Sequence, residues 1–422
     1  MVGRVARAAL VASHVLAPAS VAHAQAAVHE QMMTMPPWFS AGASAIAYGT
    51  RVDPGIADRT LTEGYLTQPL LHAHLMTPRD LLEARAMIDL EGKTLARGEL
   101  APGAYGEGFV DRRHPHTYLH ELVATARAPE WRGFAASASL GKGFAPFGTD
   151  DPMSRPIVRF PINHHLAQIL ERFIYGGALR WRPLTVEGAR FNGDEPENPS
   201  DAPNAGNRGD SWATRVTLRP GQSLLRGMEL QWSTARVKSP ESPTGRGFDH
   251  HKRSASARLE RDIGSYNVYA LGEWAQTNLD KAGQRAFSLR SALGEASVGK
   301  GIIRVSARYE QTIRPEDERL TNAFRTVFPT AEVQLLGTTR FDVATIGVEA
   351  RGRLFGISVG PFVETSLIRA SETAKPAAFV PREFYGSNRI AQLSIGVRMS
   401  IGTTHGRMGR YGVASDDRGS HH

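Results

Sequence analysis

Residues 390–402, near the end of the chain, read Ile-Ala-Gln-Leu-Ser-Ile-Gly-Val-Arg-Met-Ser-Ile-Gly. The odd-numbered positions from 393 to 401 are apolar, and small or polar residues stand between them: Leu393, Ile395, Val397, Met399 and Ile401 alternate with Ser394, Gly396, Arg398 and Ser400. A strand turns successive side chains to opposite faces, so this stretch has one apolar face and one polar face. The fold depends on whether the apolar face packs in a soluble core or against lipid.

The composition narrows the possible classes of protein. The chain has 422 residues, 41% hydrophobic and 22% charged, which is long for one soluble domain unless that domain is a barrel or a large sandwich. It has no cysteine, which excludes disulfides, thiolate metal sites and a cysteine nucleophile. The net charge is +8, and arginine far outnumbers lysine. The arginine excess reflects either genome composition or guanidinium groups that line a passage for anions.

The N-terminal residues have the pattern of a secretory signal peptide. Arg4 and Arg7 precede the mostly apolar stretch Ala8–Ala22, and Ala22-His23-Ala24 has the small-x-small form of a cleavage site. We therefore predict a signal peptide at residues 1–24 and a periplasmic N-terminal tail at residues 25–40. No apolar run approaches the ~20 residues that a membrane helix needs.

Period-two alternation continues through most of the mature chain. It predicts strands near residues 66–75, 82–92, 117–128, 132–142, 173–182, 184–192, 211–220, 227–238, 251–262, 265–277, 286–299, 301–313, 338–352, 355–370 and 390–402. Many of these segments exceed the ~5–6 residues of a typical globular strand. Short turns, as at Arg182-Pro183 and Gly264, alternate with long polar stretches such as residues 192–210. This alternation of loop length is typical of transmembrane barrels.

The strand count decides where the chain ends lie. Fifteen strands would leave the termini on opposite sides of the membrane, whereas an even number keeps both in the periplasm. Ala41–Thr50 would supply a sixteenth strand, and fourteen is the alternative if that stretch is not a strand. We predict an all-β fold: a transmembrane antiparallel up-and-down barrel of sixteen strands at residues 41–403, followed by a polar C-terminal tail at residues 404–422.

Lipid is the better partner for the apolar face. The polar face carries Arg, Glu, Ser, Gly and Gln with almost no Lys, and tryptophan and tyrosine residues stand near predicted strand ends: Trp181, Trp212, Trp232, Tyr266, Trp274 and Tyr309. Aromatic girdles mark the two interfaces of barrels in lipid, and no sheet edge can stay bare there, so the sheet must close. Sixteen strands would enclose a water-filled lumen.

The signal peptide, the absent cysteine, the long alternating strands and the loop pattern together resemble the Gram-negative outer-membrane β-barrels of the porin-like channel family. The resemblance implies an outer-membrane pore for passive diffusion of small hydrophilic solutes, in contact with the lipid bilayer and lipopolysaccharide and inserted by the barrel assembly machinery. It allows a homotrimer. It implies no enzyme activity, no catalytic residue, no metal, no cofactor and no nucleic-acid partner.

The end of the chain departs from that family pattern. Such barrels usually finish on a strand with a terminal aromatic residue, whereas here the last strand ends at Ile401 and a polar tail follows. Either Met399–Ile401 substitutes for that assembly signal, or the tail around Tyr411 takes part in it.

The polar faces supply the predicted site. The pore-lining candidates are Glu83, Arg85, Asp89, Arg215, Arg219, Arg258, Arg304, Arg308, Glu310, Glu349, Arg351 and Arg398. Rings of charge set ion preference in pores, and the arginine excess predicts a mild preference for anions. The charges could equally pair with each other and stiffen the wall, and both roles can hold together.

The insertion at residues 143–172 is the candidate constriction loop. It carries Asp150, Asp151, His164 and His165, and the i, i+3, i+4, i+7 spacing of Leu166, Ile169, Leu170 and Phe173 predicts a short amphipathic helix. If the insertion folds into the barrel, its acidic and histidine groups narrow the pore or bind a cation. If it stays outside, they are solvated loop residues.

Two other function classes remain as alternatives. A plugged barrel acting as a receptor or anchor would have its lumen filled by residues 143–172 or by the N-terminal tail. An outer-membrane hydrolase would need a Ser-His contact, with His120 and Ser358 as candidates. His114, His116 and His120 are interpreted as histidines at the membrane interface, with His116 and His120 pointing outward and Glu121 inward.

Overall fold

The computed structural model describes residues 38–56, 59–95, 116–149, 151–162, 164–196, 198–202, 209–221, 225–240, 247–317, 335–375, 377, 380–403 and 407–415. The predicted signal peptide and N-terminal tail lie outside these residues, apart from the last three positions of the tail. None of the helices within the described ranges is long and apolar enough to cross a membrane.

Strands dominate the described chain. Their bounds are β1 Phe39–Ile56, β2 Arg59–Met76, β3 Leu82–Asp89, β4 Leu119–Arg127, β5 Phe134–Gly143, β6 Arg172–Trp181, β7 Leu184–Phe191, β8 Ser211–Leu218, β9 Met228–Val237, β10 Asp249–Ile263, β11 Tyr266–Lys281, β12 Gln284–Lys300, β13 Ile303–Asp317, β14 Leu335–Ala350, β15 Gly352–Leu354, β16 Ile357–Glu372 and β17 Arg389–Gly402. Because β14 and β15 pair with the same strand β16, they form one strand of the wall. The wall therefore has sixteen strands.

The sheet closes on itself. Each strand pairs antiparallel with its sequence neighbours, and β1 pairs with both β2 and β17. In the closing seam Ala43 stands opposite Ile401 and Ala45 opposite Met399. The partner of the last strand is thus β1, which contains the predicted strand Ala41–Thr50. This pairing confirms the prediction of a sixteen-stranded antiparallel barrel.

The alternation in residues 390–402 becomes the two faces of β17. Ile395 is 56% exposed on the outside, while Gln392 and Ser394 are 2% and 1% exposed on the inside. Exposing so large an apolar residue to water on the surface of a soluble protein would be energetically unfavourable. The same alternation runs around the wall, so its outer face is an apolar band suited to lipid.

Connections differ in length at the two ends of the barrel. At one end, which also holds the last residue of β17, the turns are short, and Gly264, Gly301 and Gly356 supply positive φ angles there. At the other end the connections include residues 90–118, 144–171 and 192–210. We refer to these as the turn end and the loop end. In outer-membrane barrels the short turns are periplasmic.

Aromatic side chains mark the turn end. Trp131, Trp181, Tyr266 and Phe355 lie in or beside its turns, and each is 43% exposed or more. Amphipathic rings of this kind favour the boundary between hydrocarbon and water. They form one interfacial girdle.

Helices are short within the described residues: α1 Glu91–Thr94, α2 His164–Ala167 and α3 Pro381–Tyr385. The predicted amphipathic helix through residues 166–173 is wrong beyond Ala167. Its apolar residues do not share one helix face, because Leu166, Ile169 and Leu170 pack into three separate hydrophobic clusters, and Phe173 belongs to β6. Contacts with the surrounding wall override the local helical spacing.

Candidate functional site

The inner wall of the barrel is charged. Seven of the twelve predicted positions are buried, namely Glu83, Arg85, Asp89, Arg215, Arg308, Glu310 and Glu349, and four are partly exposed, namely Arg219, Arg258, Arg304 and Arg398. Arg351 stands at the break between β14 and β15 with its side chain 42% exposed. For the residues that lie within strands, the alternation along the strand places the side chain on the inner side. A role in permeation stays a prediction.

Most of these charges have partners on the wall. Arg215 donates two hydrogen bonds of 2.6 Å to Glu187, and Arg308 donates one of 3.1 Å to Glu295. Glu83 accepts hydrogen bonds from Arg85 and Arg127. Buried charges are retained only when they are paired in this way, because desolvation is costly.

Residues 144–171, which we call the lumen loop, cross the inside of the barrel. Gly148 N donates to Ser233 Oγ on β9 at 3.1 Å, and Arg155 reaches Glu273 on β11 at 3.2 Å. Val158 N donates to Glu364 on β16 at 2.6 Å. Contacts with strands so far apart around the wall require a path through the lumen.

Two further contacts complete this path. Ile162 N donates to Glu310 on β13 at 2.9 Å, and Arg159 donates to Tyr48 Oη on β1. The carboxylates of Glu310 and Glu364 therefore hold the backbone of the loop, and they are not bare groups facing a water channel. Charged acceptors make strong hydrogen bonds to backbone N–H groups.

The predicted constriction residues lie in or beside this loop. Asp151 is buried and accepts a hydrogen bond from Met153 N at 2.7 Å. His164 is buried with its Nδ1 2.9 Å from Pro161 O, and the carbonyl of His165 accepts from Lys252 Nζ at 2.7 Å. Asp150 lies outside the described residues. The described groups fix the loop conformation.

A second segment, residues 407–415, also lies inside the barrel. We call it the C-terminal segment. Arg407 makes a bidentate pair with Glu229 on β9 at 2.8 and 2.9 Å, and Arg410 donates to Glu229 and Gln231 at 2.6 Å each. Val413 N donates to Ser137 Oγ on β5 at 3.1 Å. The described part of the chain that follows the last strand thus folds back into the lumen.

A cluster of partly exposed cationic groups lies on the opposite wall, near the turn end. Arg351 donates to Glu349 at 2.8 Å, and Arg398 lies 3.9 Å from the other oxygen of that carboxylate. Arg304 stands opposite Glu349 in the strand register and within electrostatic range of the other two arginines. We call Arg304, Arg351 and Arg398 with Glu349 the arginine patch. Three guanidinium groups on one carboxylate leave excess positive charge.

The histidine interpretation is wrong. His120 points inward and is buried, because the irregularity in the pairing of β3 with β4 falls at this residue, between Leu119 and Glu121. His116 precedes β4 and is buried as well. His120 Nδ1 lies 2.7 Å from Glu171 Oε1, and His116 Nδ1 lies 3.7 Å from it. Glu121 is buried as well.

His116, His120 and Glu171 offer three ligand atoms within 4.8 Å of one another, a grouping that could hold a metal ion. Glu171 already accepts hydrogen bonds from the N–H and hydroxyl of Thr117, each at 3.0 Å. Lys142 donates to the same hydroxyl. An ammonium group beside the carboxylate opposes a cation, so we interpret the cluster as an ion pair that anchors the base of the lumen loop.

The hydrolase candidates do not form a site. His120 lies on β4 with Glu171, and Ser358 lies on β16, where it stands opposite Arg353 and Ser400 in the register. The two strands are not neighbours in the wall.

Sequence reasoning missed the C-terminal segment. Its partners Glu187 and Glu229 stand at inward positions of their strands, so period-two alternation would have found the acceptors. Arg407 and Arg410, three residues apart, were the available signal for the donors.

No family model matches the chain, and no curated protein matches it. Solved structures do. An anion-selective porin from Comamonas acidovorans is 10% identical, with 86% of this chain and 99% of that chain covered and a TM-score of 0.50. The chain has the fold of an outer-membrane porin. The chain is also similar to an outer membrane protein of Vibrio cholerae, OmpT lacking loop L8, at 10% identity and a TM-score of 0.47, with the same shares of the two chains covered.

The porin fold and the apolar outer band place the barrel in the outer membrane. This similarity in fold is to a porin.

Proposed function

We propose that this chain forms an outer-membrane pore for passive diffusion of small hydrophilic solutes, with a mild preference for anions. The observation that carries the proposal is a sixteen-stranded wall with a charged inner face, crossed by the lumen loop. Pores select by width and by fixed charge on their walls, and neither requires a bound cofactor. Homotrimer formation and recognition by the assembly machinery stay predictions.

Width limits the solutes to small ones. The C-terminal segment occupies the space beside β3–β9, and the lumen loop crosses the lumen from there to β11, β13 and β16. Inner-wall residues on both sides of the loop, such as Arg215 and Glu310, are nearly inaccessible to water. The partly exposed inner-wall residues Arg258, Arg304 and Arg398 lie near the turn end of β10–β17. At the turn end, solutes would pass beside these residues.

Charge at the turn end of β10–β17 supports the anion preference. The arginine patch has three guanidinium groups and one carboxylate, with Arg351 and Arg398 in contact with Glu349. Glu260 nearby pairs with Arg258. Positive wall charge raises the local concentration of anions in a narrow aqueous passage. The many ion pairs elsewhere on the wall cancel, so the preference is mild.

Ion conductance tests the proposal. Purified protein in a planar lipid bilayer should give discrete channels, and the reversal potential in a potassium chloride gradient should indicate preference for chloride. The triple variant R304Q/R351Q/R398Q should lose that preference. The outward-facing variant R340Q serves as the matched charge control. Preference for potassium in the native protein would contradict the anion selectivity.

A plugged barrel that displays its loops as a receptor or anchor is the second candidate. It is favoured by the presence of two chain segments inside the lumen. Such a protein would insert into the bilayer and give no channels, so the same recording separates the two functions.

A further inference from the structure

We propose that the C-terminal segment, residues 407–415, is a built-in plug that closes the periplasmic end of the lumen beside β3–β9, so that solutes cross this end beside the arginine patch. This inference rests on the proposed pore function. It assigns to the chain end a role in setting the width and ion preference of the pore.

The segment enters from the turn end, where β17 finishes, and makes contacts along one half of the wall. Arg85 on β3 donates to Ser415 Oγ at 2.8 Å, and Arg219 beyond β8 donates to Ala414 O at 3.3 Å. With Ser137 on β5 and Glu229 on β9, these partners lie on both sides of the segment. It therefore lies across this half of the lumen.

The segment also meets the lumen loop. Phe144 N donates to Tyr411 Oη at 3.0 Å, and Thr149 O accepts from Arg407 at 3.2 Å. The loop descends from one end and the segment rises from the other. Their contact makes a continuous barrier along β3–β9.

Burial indicates that little water-filled space remains around the segment. Arg410 and Val413 are 1% exposed, and Tyr411 is 8% exposed. A side chain that lined an open passage would be accessible to water from the lumen. Arg407 and Arg410, whose charged groups would otherwise be hydrated, instead donate hydrogen bonds to protein acceptors.

A glycine permits the close approach. Gly412 has φ +56°, and a Cβ at this position would lie 2.2 Å from Ser137 Oγ. Any larger residue would therefore strain the backbone and push the segment from the wall. This gives a variant that displaces the plug without changing its charge.

The plug also neutralises carboxylates. Glu229 is contacted by Arg407, Arg410 and Arg219, and two of these three arginines belong to the segment. Without the segment, Glu229 would lose Arg407 and Arg410 and keep only Arg219 of these three arginines. Its carboxylate would then face water. A passage opened beside β3–β9 would thus present more negative charge than the passage along the arginine patch.

Single-channel recording of three variants tests the plug. The first ends the chain after Thr403, the second is G412V, and the third is R353Q, an exposed charge at the same end that serves as the control. Folding is checked beforehand by the heat-dependent shift in electrophoretic mobility that closed barrels show. We expect about a twofold or greater rise in conductance, with weaker chloride preference, for the truncation and for G412V. R353Q should match the native protein.

The possible results distinguish failure of the plug from failure of the pore function. A folded truncation or a folded G412V with native conductance and native ion preference would overturn the plug. If the truncation fails to fold, G412V alone decides in the same way. Absence of channels from the native protein and from every variant would instead overturn the pore function.

Discussion

At the scale of single residues, Glu83 shows how the wall keeps a carboxylate buried. It accepts a hydrogen bond from His74 at 3.1 Å and pairs with Arg85 and Arg127. Replacing it by Gln removes the anion that two guanidinium groups share, so E83Q should lower the free energy of unfolding by about 3–5 kcal/mol. Denaturant unfolding in detergent micelles, followed by tryptophan fluorescence, measures this.

Glu130 provides the control for that variant. Its pair with Arg180 at 3.0 Å is solvent-exposed, so E130Q should change stability by about 0–1 kcal/mol. Equal effects of E83Q and E130Q would contradict the assignment of Glu83 as a buried ion-pair centre.

Glu171 predicts a pH dependence at the base of the lumen loop. Burial alone raises the pKa of its carboxyl, but the hydrogen bond and charge of His120, with the charges of Lys142 and His116, hold that pKa well below its usual range. Because the folded pKa is lowered, the stabilisation is complete above the unfolded pKa of about 4.3 and is lost as the pH falls below it.

Unfolding midpoints measured from pH 7 to pH 3 test this dependence. The native protein should lose stability below about pH 4.3, and E171Q should lose less over the same range because it lacks the titrating group. Parallel pH profiles for the two proteins would show that another carboxylate is responsible.

At the scale of elements, closure depends on a close approach in β17. A Cβ on Gly396 would lie 2.3 Å from Tyr48 Cβ and 2.4 Å from Ala47 O on β1. G396V should therefore prevent the seam from pairing, and the protein should lose its heat-dependent mobility shift. A Cβ on Gly294 in β12 would have no atom within 4 Å, so G294V should keep the shift. Closed barrels from both variants would contradict the steric argument.

The elements also separate what sequence can predict from what it cannot. Strands in the membrane, such as β17, alternate because lipid and lumen differ, and the alternation predicts them. The strand predicted at residues 66–75 is too short at its N-terminal end, since β2 already begins at Arg59. Beyond the membrane both faces of a strand meet polar surroundings, so the alternation fades there.

The interior of the barrel is the least predictable part. The charges on the wall follow from period two, but the path of the lumen loop depends on Glu273, Glu310 and Glu364, which are distant in sequence. The polar tail has the composition of an unstructured end because it has too few apolar residues for a core of its own. Its partners are buried carboxylates, and no local pattern reports such long-range pairs.

At the scale of the whole molecule, the even strand number brings the first and last strands together. In the seam the start of β1 pairs with the end of β17, and both lie at the turn end. That geometry lets a segment after β17 fold directly into the lumen. The even strand number therefore accounts both for the closure of the barrel and for the position of the C-terminal segment.

The strands on one side of the wall are shorter than those on the other, and this difference affects how the barrel is oriented in the bilayer. Strands β3–β9 have 8 to 10 residues, whereas β10–β14 have 15 to 17. At ~3.3 Å per residue and a strand tilt near 45°, these correspond to about 20 and 37 Å, against an apolar band of about 25 Å.

A membrane of even thickness cannot match both sides, so we expect the barrel axis to lean away from the membrane normal or the bilayer to thin beside the low side. Polarised infrared spectroscopy on oriented bilayers measures the mean strand angle. Thicker lipids should change that angle if the barrel leans, and a constant angle would mean that the lipid adapts. Either response gives the molecule a distinguishable low side, which makes lateral contacts in a crowded membrane directional.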